Sequence, residues 1–161
     1  MEQSHRDRRG EIASDIFIIL VTAANLVFFA FFHKYIAWYT TGPDGSVTRL
    51  SMLTDDYFVW LPIPITASIL VIVANIVMII YDRYWFRQTA WIIFCIIGIT
   101  VVVSLVSIFP FDFSVIPNAT AVDAVPIWVT VFLILMAVFY GITALVLFVK
   151  SRSYAAKQET R

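Results

Sequence analysis

Only a few side chains in this 161-residue sequence could perform catalysis, redox exchange or metal binding, and their spacing argues against each use. Cys95 is the one cysteine, so the chain has neither an internal disulfide nor a CxxC redox pair. Of the two histidines, His5 sits in the N-terminal tail and His33 at the edge of an apolar run, so they are not placed to hold haem iron between helices. Asp44, Asp55, Asp56, Asp112 and Asp123 offer hard oxygen donors, but their spacing fits no calcium loop. No loop acid or base has an obvious partner for proton transfer. The expectation is a chain with no catalytic residue, no metal and no cofactor.

The remaining candidates are neutral. Asn25, Asn75, Thr100, Tyr140 and Thr143 fall inside apolar runs, where a polar side chain must either find a partner or line a path. Counted inward at about 1.5 Å per residue, Asn75 and Thr143 lie roughly 10 Å deep, and Asn25, Thr100 and Tyr140 roughly 15–17 Å. Each layer draws on more than one helix. The seam is expected to be structural, with Asn75 of the second helix bonded to Thr143 of the fourth and each such bond worth about 0.6–2 kcal/mol. The alternative use is to transport or bind a small solute or lipid. Ala137-xxx-Gly141 and Thr100-xxx-Ser104 carry the spacing of close helix approach, which predicts a compact bundle with little internal volume.

The elements that must position these residues follow from composition. With 61% hydrophobic and 14% charged residues, the chain lies far from a soluble domain. Charge is absent from 16–32, 57–81, 88–111 and 124–149, runs close to the roughly 20 apolar residues needed to cross a bilayer. The fold class is therefore all-α integral membrane, an antiparallel four-transmembrane-helix bundle. Its helices are expected at about 14–38, 57–81, 88–110 and 125–150, forming one domain over 1–161. The N-terminal run lacks a small-x-small cleavage site and reads as an uncleaved first helix.

Orientation follows from Lys and Arg. Arg6, Arg8, Arg9, Arg83, Arg87, Lys150, Arg152, Lys157 and Arg161 flank one side, and Lys34 and Arg49 the other. The positive-inside rule then places both termini in the cytoplasm, with the N-tail 1–13, the turn 82–87 and the C-tail 151–161 inside and loops 39–56 and 111–124 outside. Gly42-Pro43-Asp44-Gly45 predicts a turn in a short extracellular hairpin between helices one and two. Thr54-Asp55-Asp56 is expected to cap helix two, Pro64 to loosen its outer turn, and Pro126 to occupy the first turn of helix four. Asn118-Ala119-Thr120 fits a glycosylation sequon but reads more simply as a loop asparagine. Arg83, in the Asp82-Arg83-Tyr84 triplet, is expected to snorkel.

No Asp, Glu, Lys or Arg appears deep in a run, and Tyr140 is a poor proton relay, so proton transport and voltage sensing are not expected. The expected function is that of a non-catalytic cell-membrane bundle acting through a membrane-protein partner, as a subunit or as a homo-oligomer. The lipid bilayer is its surrounding partner. A net formal charge of zero leaves no basic face for nucleic acid.

Overall fold

The computed structural model describes residues 2–81 and 83–159, with side chains described over 8–81 and 83–152. His5 and Asp82 lie outside the described side chains. The chain is mostly helical, and four of its helical segments are long and apolar enough to cross a membrane: Arg8–Tyr35, Asp56–Ile80, Tyr84–Ile108 and Ala119–Arg152.

Helix α1 (Glu2–Val27) starts well before the predicted boundary near 14 and continues through a π-helical turn (Phe28–Phe32) and a 3-10 turn (His33–Tyr35). The wide turn has a side-chain counterpart. The Phe29 carbonyl accepts from His33 Nδ1 at 3.0 Å and from the Tyr57 hydroxyl at 2.8 Å, which places that carbonyl between two donors. The strands β1 (Ala37–Thr41) and β2 (Val47–Ser51) then pair antiparallel, Ala37 opposite Ser51 and Thr41 opposite Val47. Gly45 takes φ 79° at the turn, a conformation that glycine adopts without a Cβ penalty.

The second span is split into α2 (Asp56–Trp60) and α3 (Pro62–Ile80). Pro62 and Pro64 have no N–H to give to the Phe58 and Trp60 carbonyls one turn back, while Leu61 keeps helical φ and ψ and both its bonds, donating to Tyr57 O at 2.8 Å and accepting from Ile65 N–H at 3.3 Å. The expected side-chain cap is absent: Asp55 makes no capping bond, the Thr54 hydroxyl has no partner, and the Thr54 carbonyl instead accepts from Tyr57 N–H. Helix α4 (Tyr84–Ile108) ends in a left-handed Phe109, whose ring joins Phe111 and Phe113. This loop docks on the hairpin exit, with Thr54 N–H donating to Pro110 O and Asp112 N–H to Met52 O.

Helix α5 (Ala119–Glu159) begins six residues earlier than predicted because Asn118 is its cap, accepting from Thr120 N–H at 3.0 Å. Pro126 therefore lies inside the helix, not in its first turn. Replacing Asn118 with alanine is expected to cost about 1 kcal/mol, measured by unfolding in detergent. A Gly substitution should recover most of that loss.

Two loops share one device. Asp44 Oδ1 accepts from the Ser46 hydroxyl at 2.6 Å and its N–H at 3.2 Å, while Asp112 Oδ1 accepts from the Ser114 hydroxyl at 2.6 Å and its N–H at 2.9 Å. The serine hydroxyls first, and the amides second, hold both carboxyls below their ordinary value of 3.8. A depressed carboxyl stabilises above its unfolded value and loses that contribution as pH falls through the folded value. The amide signals of Ser46 and Ser114 should therefore titrate with midpoints below 3.8. Midpoints at or above it would remove the serine turns as the cause.

Helix α1 packs along α3, α3 against α4 and α4 along α5, whereas α1 and α5 touch at most marginally among the described residues. The row is thus left open between its first and last helices. Most large apolar side chains, such as Phe17, Trp128 and Phe139, point outward, the inverse of a water-soluble core and the arrangement lipid tails accept.

Candidate functional site: an intramembrane cavity above a buried ion pair

At the hairpin end, aromatic rings hold the spans together. Trp60 is 3% exposed, lies edge-on to Phe29 at 5.6 Å, and donates from Nε1 to the Ser104 hydroxyl at 3.2 Å. Tyr57 is buried and stacks on His33 at 5.0 Å. First, second and third spans are thereby joined at this end.

The opposite end is polar. Asp15 is 1% exposed, and its Oδ2 accepts from Arg87 Nη2 at 2.6 Å. Glu11 Oε2 stands 3.7 Å from Arg87 Nε on the other side of the guanidinium. Gln88, also buried, donates from Nε2 to Leu147 O at 3.0 Å and so links α4 to α5. Arg87 thus turns inward, and Asp15 is buried at the edge of the first apolar run rather than deep within it.

Between the two ends lies a cavity of about 480 Å³ walled by all four spans. Thr22, Asn25, Ser68 and Tyr140 supply polar groups to a wall otherwise made of apolar and aromatic side chains. The expected compact interior is corrected by this volume. In the Ala137-xxx-Gly141 spacing, a Cβ added at Gly141 would meet nothing, so that glycine makes no close helix contact. The tight approach is at Gly98, where an added Cβ would come within 3.1 Å of the Tyr140 ring. A groove of about 410 Å³ between α3 and α4 shares Ala67, Ile97 and Val101 with the cavity, which leaves one layer of side chains between them.

The five seam residues divide. Asn25 and Tyr140 line the cavity, and Thr100 lines the outer groove. Asn75 is fully buried, but its Nδ2 donates to Val71 O at 2.7 Å in its own helix. Thr143 donates to Phe139 O at 2.8 Å and Thr100 to Ile96 O at 3.0 Å, also within their own helices. The expected Asn75–Thr143 bond is therefore not formed. Equal depth fixes height along a helix but not which face a residue presents. The Asn75 Oδ1 is left without a partner.

Sequence reading missed Asp15, Arg87 and Gln88. A usable signal existed, because an acidic i, i+4 pair at the start of one span and an arginine at the start of another belong at the same membrane boundary. Among the described residues no group of three or more His, Cys, Asp or Glu side chains could hold a metal ion. No protein-family model, curated protein or solved structure matches the chain.

Proposed function

We propose that this chain is a non-catalytic, multi-pass membrane protein that binds a small amphiphilic molecule in the cavity between its spans. The carrying observation is the cavity itself: its volume of about 480 Å³ lies within the range of roughly 300–1,000 Å³ for ligand pockets. A transmembrane helix, about 30 Å long and 10 Å across, is far too large for it. The mixed wall suits a ligand with an apolar body and one polar group. In this reading the spans form an antiparallel bundle in the cell membrane, the hairpin faces outside, and both termini are cytoplasmic, an orientation that the basic flanks support.

Native mass spectrometry of the detergent-purified chain with dodecanol as probe tests the reading. The wild type should retain one dodecanol, and Ala67→Phe, which fills the shared wall, should lose it while keeping the same unfolding midpoint. Retention unchanged by Ala67→Phe would place the alcohol elsewhere and remove the cavity as the site.

A second reading, a bundle acting through a membrane-protein partner or a second copy, has its own support. The most apolar stretch of the first span has none of its residues buried by the rest of the chain. Crosslinking from Phe17 or Phe31, both strongly exposed, should then capture a discrete partner or a dimer. Capture of lipid alone would remove this reading.

A further inference from the structure

An ionised carboxylate has two oxygens that accept hydrogen bonds, and burying one without a donor is costly. At Asp15 one oxygen is occupied by Arg87, whereas Oδ1 is buried with no partner. Asp15 does not itself line the cavity but stands one helical turn from a residue that does. Asp15 continues the α1 stripe of Ile18, Thr22, Asn25 and Phe29, all lining residues, one helical turn beyond Ile18. Arg87 likewise precedes the lining residues Trp91, Phe94 and Gly98 on α4, one turn beyond Trp91. The pair therefore lies beneath the cavity on both helices, about 4.5–6 Å of rise from its innermost lining residues.

Resting on the cavity reading above, we propose that the ligand is a single-chain amphiphile with a cationic, hydrogen-bond-donating head, received at the free Oδ1 of Asp15. Several observations select this head. Among the described residues two carboxylates, Asp15 and Glu11, share the Arg87 guanidinium, which favours added positive charge beside Asp15 and opposes an added anion. Asn75 Oδ1, a second buried acceptor without a partner, belongs to the part of α3 that finishes at this same end. An alkylammonium carries three donors and can answer acceptors that a carboxylate head cannot. Trp91, a cavity-lining residue one turn from Arg87, adds an aromatic face attractive to a cation.

The test uses the full chain in nanodiscs of zwitterionic lipid, with protein-free nanodiscs subtracted. Dodecylamine, dodecanol and dodecanoate share one chain length and differ in head charge. The amine should bind at least ten-fold more tightly than the alcohol, and the carboxylate most weakly. Asp15→Asn should bring amine and alcohol to within about three-fold while dodecanol affinity changes little. Equal affinity for the three in the wild type, or an amine preference retained in Asp15→Asn, would overturn the head assignment. The cavity reading would survive either result provided Ala67→Phe still abolishes dodecanol binding. If Ala67→Phe leaves all three unaffected, both fall together. Should Asp15→Asn fail to fold, the wild-type ranking of the three probes decides alone.

Discussion

Replacing Arg87 with methionine while Asp15 remains is expected to destabilise the folded chain by about 3–5 kcal/mol, because it leaves a buried carboxylate without its partner. The geometry sets the size of this effect: Asp15 is 1% exposed and Arg87 12%, with 2.6 Å between Oδ2 and Nη2. Loss of the Glu11 contact adds little, since Glu11 is half exposed and stands at 3.7 Å. The decisive comparison is Asp15→Leu/Arg87→Met, which removes both charges and should recover most of the loss. Unfolding of the singles and the double in detergent gives the coupling directly. A double variant as unstable as Arg87→Met would show that the pair is not the cause.

The second large effect is expected at Trp60. Its substitution by alanine empties a buried site, removes the edge-on contact with Phe29 and leaves the Ser104 hydroxyl without its donor. Lipid tails supply no hydrophobic force between helices, so the loss comes from packing and the hydrogen bond, together about 3 kcal/mol. Trp60→Phe keeps most of the ring and should lose about 1 kcal/mol, the share of the hydrogen bond. Equal losses in the two variants would place the stabilisation in the indole N–H rather than the ring.

The two sites differ in how visible they are in the sequence. The spans announce themselves because a charge-free run of membrane length has few other uses. Asp15 hides at such a run's edge. A linear scan treats it as flank, whereas α1 begins at Glu2 and carries it to a level where Arg87 meets it. Asn75 and Thr143 show the complementary gap, since depth can be counted along the chain but rotation about each helix axis depends on packing. The π turn at Phe28–Phe32 adds to this, because a helical wheel drawn at 3.6 residues per turn loses register there. Asn118, expected as a loop asparagine, ends the loop as the cap of α5, a role that only the position of the helix start reveals.

Helix α5 has 41 residues, which at 1.5 Å each gives about 62 Å, well beyond a bilayer of roughly 40–45 Å including headgroups. The excess carries the last span beyond the membrane. Its contact with α4 is long and includes Tyr140 lying on Gly98, and past Lys150 the helix runs on to Glu159. Among the described residues α1 touches it at most marginally. A tilt of a few degrees about the α4 contact would therefore be magnified at the helix tip.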